Sequence, residues 1–202
     1  MTNKISGGDY QPCAKMREYE IKIRERLTEK RYEHVCAVRH CAAELAKIHG
    51  LDRENAELAG LLHDYARDMD PEQLLAIGRS RNLITCKVEE QFPILLHGPV
   101  GAALVEEELG VAEVQVLEAV ALHTVAGPAI GRLAQMIYIA DLIAAGRDFP
   151  GVDYLRSLAV TNLRQALPAC IASSIRCCLE RGRLIHPQTI EAWNYYSIER
   201  KE

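Results

Sequence analysis

Leu58-Ala59-Gly60-Leu61-Leu62-His63-Asp64 sets an uninterrupted apolar run directly against two ionisable side chains. Packing draws such a run into a core, where an imidazole and a carboxylate are costly unless they are paired or bound to a metal. Asp52, just upstream, can cap a helix that carries Ala56, Ala59 and Leu62, so the run reads as the buried end of a helix.

Working outward, the helical pattern continues on both sides. Upstream, Val35, Val38, Ala42, Leu45 and Ile48 recur at three- and four-residue steps before Gly50, a stop signal. Downstream, Asp70-Pro71-Glu72-Gln73 is a helix start with an acceptor at the cap, Pro at the first helical position and Gln at the third. Pro99 is expected to open a helix that ends before Gly110; Val114, Leu117, Val120 and Ala121 mark another, and Leu133, Ile137, Ala140 and Ile143 the next. Pro168 predicts a restart or kink in the segment after Thr161, Gly182 ends that segment, and Pro187 starts a last short helix running toward Trp193. Strand-like alternation is nearly absent, and no internal repeat, low-complexity tract or linker is visible. The expectation is one all-α domain, a helical bundle over residues 16–202, after a flexible leader over 1–15 that holds Gly7-Gly8, Asp9 and Pro12.

Composition narrows the function. The 202 residues can bury a sizeable core, and 49% hydrophobic with 26% charged residues excludes general disorder. Twenty-four Lys+Arg against 28 Asp+Glu leave a net charge of −4, against a general nucleic-acid binder. No apolar run approaches the ~20 residues of a membrane span, and no signal-peptide pattern opens the chain. A soluble, cytoplasmic protein without a nucleic-acid or membrane partner is expected. Seven cysteines, at 13, 36, 41, 86, 170, 177 and 178, include no Cys-x-x-Cys pair. Most are therefore expected to be small buried hydrophobes in a reducing compartment rather than disulfides or zinc ligands.

The ionisable residues of the apolar segments form a pattern. His34 lies one helix upstream of His63-Asp64; His97 stands at a helix entrance in Leu95-Leu96-His97-Gly98-Pro99; His123 ends Val120-Ala121-Leu122-His123; Asp141 interrupts Ile137-Tyr138-Ile139-Ala140-Asp141-Leu142-Ile143. A single buried histidine is more often a hydrogen-bonded core residue than a ligand. Four histidines and two aspartates on five helical segments are a ligand set for Zn, Fe, Mn or Ni, and a bundle can converge them in its interior. His40 and His49, on a flank and at a helix end, stay outside the set.

The order His…His-Asp…His…His…Asp resembles the HD superfamily of metal-dependent phosphohydrolases. The finer text resembles its YqeK family, the symmetrical diadenosine-tetraphosphate hydrolases. The matching phrases are Arg31-Tyr32-Glu33-His34, Leu61-Leu62-His63-Asp64-Tyr65-Ala66-Arg67, Leu96-His97-Gly98-Pro99-Val100-Gly101, His123-Thr124, Ile139-Ala140-Asp141, Gly146-Arg147-Asp148-Phe149-Pro150-Gly151-Val152 and Leu184-Ile185-His186-Pro187. They span residues 17 to 197. This chain departs at Ala144-Ala145, where the family usually has Glu-Pro, and at Val125-Ala126, where it tends to have Thr-Gly; neither change removes a ligand.

The resemblance implies two metal ions, often iron in the family, with Mn, Co or Zn also admitted. Asp64 would bridge them, His34, His63 and Asp141 would complete one ion's protein ligands, and His97 and His123 the other's. It implies hydrolysis of diadenosine tetraphosphate to two ADP by metal-activated hydroxide, with Asp64 and Arg67 catalytic. Arg67, four residues after His63 and so on the same helical face, would point at a phosphate. Arg31, Arg147, His97 and Thr124 would contact phosphates, and Leu184, Ile185, His186 and Thr189 would frame the base or ribose. The partner is then a small dinucleoside polyphosphate or nucleotide, and a homodimer is compatible with the reading. The alternatives are an HD-type nucleotidase or phosphodiesterase on other nucleotides, a nucleotide-binding sensor without turnover, and a purely structural helical adaptor.

Overall fold

The computed structural model describes residues 14–199. Residues 1–13, most of the expected leader, lie outside the described residues, while Ala14 and Lys15 stand in the first turn of a helix. The described chain is all-α, with eleven α-helices and no strand: α1 Ala14–Arg26, α2 Glu29–His49, α3 Arg53–Leu62, α4 Pro71–Ser80, α5 Lys87–Gln91, α6 His97–Leu109, α7 Val114–Leu122, α8 Arg132–Ile143, α9 Val152–Thr161, α10 Leu163–Glu180 and α11 Pro187–Glu199. A single 3-10 turn, Pro93–Leu96, leads into α6. No described helix is long and apolar enough to cross a membrane.

Local chemistry sets the helix ends. Gly50 takes the left-handed conformation (φ +66°) that closes α2, a geometry glycine adopts without steric cost. The Asp52 carboxylate accepts from Asn55 N at 2.7 Å to start α3, and Asp70 accepts from Glu72 N at 2.8 Å to start α4. Helix α6 begins at His97 rather than at Pro99, because the 3-10 turn runs straight into it; Pro99 then sits in the first turn, where a missing N–H is harmless. The break expected at Pro168 falls instead at Asn162. That residue is extended, and its side chain accepts from Gln165 N at 3.1 Å. Pro168 lies inside α10, where it removes one intrahelical bond without ending the helix. The last helix also extends well beyond Trp193.

Helix α3 organises the rest. Every residue from Ala56 to Leu62 is buried, as expected of a helix enclosed on all sides. It packs against α2, α7 and α8, while α6 covers α7, and α9, α10 and α11 extend the bundle beyond α8. Val35, Val38, Leu45, Leu61 and Leu62 are buried, each favouring the packed state by roughly 1.5–3 kcal/mol before conformational entropy is set against it. The buried acid of α3, Glu57, is held by Arg53 at 2.8 Å and Arg39 at 3.4 Å. The apolar periodicity overreaches at two places: Ile48 is 49% and Val114 80% exposed, because the last turn of α2 and the first of α7 project past the core. Of the six described cysteines only Cys170 is fully buried, and Cys177, on the outer face of α10, is exposed, contrary to the expectation of a mostly buried set.

Candidate metal centre

Five helices deliver six ionisable side chains to one point. His34 comes from α2, His63 and Asp64 from the end of α3, His97 from the first residue of α6, His123 from the cap of α7, and Asp141 from the last turn of α8. Asp64 is central. Its Oδ1 lies 3.2 Å from His97 Nε2 and 3.7 Å from His123 Nε2; its Oδ2 lies 3.4 Å from His63 Nε2 and 3.9 Å from His34 Nε2. Asp141 Oδ1 lies 2.8 Å from His34 Nε2 and 4.0 Å from His63 Nε2. The imidazoles form an edge-to-face chain, His34–His63–His123–His97, with ring centroids 4.8 to 5.4 Å apart.

The backbone selects the tautomers. His63 Nδ1 donates to Gly60 O at 2.8 Å, His123 Nδ1 to Val120 O at 2.7 Å, and His97 Nδ1 to Ile94 O. A carbonyl only accepts, so each ring's remaining proton is held on the outside and each Nε2 presents a lone pair to the centre. His97 Nε2 and His123 Nε2 consequently meet at 2.9 Å, and His63 Nε2 is buried without a hydrogen-bond partner. Converging lone pairs beside two carboxylates are poorly satisfied by protein alone and are the donor set of a cation site. The donors present therefore fit divalent metal ions: His34, His63 and Asp141 form one group of mutually close ligand atoms, and His63, Asp64 and His123 another.

Electrostatics follow the same geometry. Burial pushes the Asp64 carboxyl up, but His63, His123 and His97 outweigh it and hold it well below the ordinary range. Asp141 is likewise held low, with burial outweighed by His34, His63 and Arg147. Burial lowers His97, whereas His63 is raised because the Asp64 and Asp141 charges exceed the opposing effect of burial.

A cavity of about 220 Å³ opens on this centre, lined by Asp64, His97, His123 and Asp141 together with Arg31, Arg67, Thr124, Arg147, Tyr138, Leu142 and Ser174. Arg31 donates to Asp64 Oδ2 at 2.9 Å, and Arg147 donates to Asp141 Oδ1 at 2.5 Å and to Asp141 O at 2.8 Å. Arg67 reaches the cavity by a different route from the one expected. Helix α3 ends at Leu62, and residues 63–69 turn through three-residue bonds (Tyr65 N to Leu62 O, Arg67 N to Asp64 O, Met69 N to Ala66 O), so no helical face joins Arg67 to His63. Thr124 Oγ1 lies 3.3 Å from His97 Nε2 and 3.2 Å from His123 Nε2.

The structure does not bring Leu184, Ile185, His186 or Thr189 to the cavity wall. Leu184 is exposed, and the buried Thr189 hydroxyl donates to Val125 O at 2.9 Å, bracing the loop after Thr124. His186, with Cys86 and Glu89, forms a third cluster of ligand-type atoms, but its tautomer is opposite to that of the central histidines. It caps α11 by accepting from Gln188 N at Nδ1 (3.2 Å), so Nε2 carries the proton toward Cys86 Sγ at 3.3 Å and Glu89 Oε1 at 3.4 Å. This trio is a hydrogen-bonded brace between the start of α5 and the start of α11. None of Val125, Ala126, Ala144 and Ala145 lines the cavity. Ala126, where the resemblance would put glycine, has φ +59°, a conformation strained for alanine and held by the bond from its N–H to Leu122 O. Sequence reasoning missed Tyr138, Leu142 and Ser174. The three-residue spacing of Tyr138 from Asp141 was a usable signal; nothing in the sequence marks Ser174.

Comparison with known proteins agrees with this geometry. The HD domain family model matches residues 31–146. The chain is 36% identical over 184 residues to a "Bis(5'-nucleosyl)-tetraphosphatase, symmetrical" of Halalkalibacterium halodurans, covering 89% of this chain and 95% of that protein. It is 37% identical over 173 residues to the protein of the same description in Bacillus subtilis, covering 86% and 92%. A crystal structure described as a predicted HD superfamily hydrolase involved in NAD metabolism from Clostridium acetobutylicum superposes with a TM-score of 0.87 at 35% identity, over 92% of this chain and 97% of that one. With the His and Asp side chains of the HD pattern gathered at one buried point, the chain belongs to the HD-domain family and, within it, to the symmetrical bis(5'-nucleosyl)-tetraphosphatases.

Proposed function

We propose that the chain hydrolyses diadenosine tetraphosphate to two ADP at a two-ion centre. His34, His63 and Asp141 would hold one ion and His97 and His123 the other, with Asp64 shared between them. The observation that carries the reading is the set of Nε2 lone pairs, fixed by backbone carbonyls, that face the two oxygens of Asp64 from opposite sides. When bound, divalent ions supply Lewis acidity there, making hydroxide available near neutral pH and offsetting charge on phosphoryl oxygens. Iron is the metal we propose, and an imidazole-carboxylate set without thiolate also accepts Mn, Co or Zn.

The protein's own groups bind and align the polyphosphate. Arg31 and Arg147 use some of their N–H groups on Asp64 and Asp141 and keep others for phosphate oxygens. Arg67 adds a third guanidinium, lowered by burial and by the adjacent Arg31 charge, an arrangement relieved by an anion between them. Thr124 supplies a neutral hydroxyl beside His97 and His123. At about 220 Å³ the cavity falls below the ~300 Å³ at which sites for drug-sized ligands begin. It therefore takes phosphates and leaves the nucleosides at its mouth. Water attacks an inner phosphorus, and the bond between the second and third phosphates breaks, so each product is ADP. Free thiols among the described cysteines suit a reducing compartment, and we place the enzyme in the cytoplasm.

Hydrolysis in ¹⁸O-water tests the assignment: ADP as sole product, with one label per pair, is expected, and AMP plus ATP would overturn it. Metal analysis of His63→Ala and Asp64→Ala accompanies this, with occupancy falling from two equivalents toward none.

A further inference from the structure

We propose that Ser174 is a substrate-binding residue, a neutral hydroxyl donor to the polyphosphate, and that Tyr138 is the positioning residue that aims it. The inference rests on the phosphate-binding reading of the cavity and adds a wall to it. Both residues line the same cavity as Arg31, Arg67, Arg147 and Thr124. Tyr138 stands on α8 one turn before Asp141, so the two share a face; Ser174 comes from α10, which contributes no metal ligand.

The chemistry of the pair is constrained. The Tyr138 ring is 4% exposed, and its hydroxyl donates to Ser174 Oγ at 3.0 Å. Burial raises the phenol, so it keeps the proton that the hydrogen bond to Ser174 uses. Two hydroxyls joined by one hydrogen bond retain one hydrogen between them. With Ser174 Oγ accepting from Tyr138, that hydrogen belongs to Ser174, and no described protein group accepts it. The wall it faces carries three guanidiniums and two carboxylates, and Asp64 Oδ2 and Asp141 Oδ1 already accept from Arg31 and Arg147. A phosphate oxygen brought in by those arginines is the acceptor this hydrogen suits. An uncharged donor here adds a directional contact without a further positive charge. Tyr138 does not touch the ligand; its bond restricts the Ser174 rotamer and polarises the hydroxyl.

The test uses the metal-loaded protein with ADP and with inorganic pyrophosphate as probes in calorimetry, and diadenosine tetraphosphate in turnover. Ser174→Ala is expected to raise Kd for both probes about 10-fold or more, with KM rising in parallel and kcat nearly unchanged, because a hydrogen bond to a charged acceptor is lost. Tyr138→Phe keeps the ring in place and is expected to raise Kd about 3- to 10-fold, with Ser174→Thr close to wild type. The double variant should be no weaker than Ser174→Ala, since Tyr138 acts through Ser174. Unchanged Kd in a stably folded Ser174→Ala would overturn the proposal, as would weakening toward ADP but not pyrophosphate, which would move the contact to ribose. Additive losses in the double variant would remove the positioning role of Tyr138. If the wild type neither binds the probes nor cleaves the dinucleotide, the functional reading fails instead.

Discussion

Gly98 follows His97 directly, where α6 packs close against the backbone of α7, and Gly98→Ala tests how tightly that approach governs the metal centre. A Cβ built there lies 2.6 Å from Ala121 O and 3.3 Å from Val120 O, both backbone atoms. The nearer contact is about 0.8 Å inside the 3.4 Å at which ordinary van der Waals contact begins, and backbone cannot rotate aside. Overpacking of this kind costs about 1–3 kcal/mol, against up to ~1 kcal/mol regained from replacing glycine in a helix. A net loss of about 1–2 kcal/mol lowers Tm by roughly 2–8 °C in a chain of this length. The strain is relieved by parting α6 from α7, which separates His97 Nε2 from His123 Nε2, now 2.9 Å apart. Metal content should therefore fall along with Tm. Gly101→Ala is the internal control: its nearest neighbours are 3.6 and 3.7 Å away, so it should be neutral or stabilising by up to ~1 kcal/mol. Circular dichroism melts and elemental analysis of both variants decide the matter. A Gly98→Ala protein with wild-type Tm and full metal content would refute the reasoning.

Other outcomes follow from single features. Asp52→Ala removes the acceptor for Asn55 N at the start of α3 and should cost about 0.5–2 kcal/mol in chemical denaturation, whereas a loss below a few tenths would mean that packing alone starts the helix. Burial pushes the Cys170 thiol up to about 12 and Cys177 is exposed, so thiol labelling of the native protein at pH 8, read by peptide mass spectrometry, should modify Cys177 long before Cys170; equal rates would show that α10 opens readily. Metal affinity should depend on pH with a defined sign. The folded His63 is raised above the unfolded value of about 6.5, so below that raised value a ligand must displace its proton, and apparent Kd rises about tenfold per pH unit for one proton released. Titrations between pH 6 and 8 in buffers of different ionisation enthalpy measure this, and a flat Kd with buffer-independent heat would contradict it. In the metal-free protein, the depressed Asp64 and Asp141 contribute stability that is complete above the unfolded value of about 3.9 and is lost as pH falls through their folded values. Acid titration of Asp141→Asn should show a shallower decline than wild type.

Relatives of this chain carry the description of symmetrical tetraphosphatases over most of their length, and the departures this chain shows from that pattern lie outside the cavity. Val125 and Ala126 belong to the loop braced by Thr189, and Ala144 and Ala145 follow α8 without facing the centre. Their consequences run through loop geometry, most directly the left-handed Ala126 two residues after Thr124.

The linear chain alone determined which residues would be costly inside an apolar bundle. His63-Asp64 at the end of a buried run, His34, His97 and His123 at their helical positions, and Asp141 within an apolar helix were all legible from periodicity and capping, because a carboxylate or imidazole placed on a core-facing stripe needs a partner. Helix ends at Gly50, Asp52, Asp70 and Gly110 were legible for the same local reasons. The tertiary structure alone decided what depends on the meeting of distant segments. It assigned the imidazole tautomers through the carbonyls of Gly60, Ile94 and Val120. It brought Tyr138 and Ser174 into the cavity while leaving Leu184 at the surface, and it made a helix cap of His186, to which the resemblance had given a base or ribose contact. Periodicity reports which face of a helix is apolar, whereas direction and distance between side chains from different helices are set by how those faces pack.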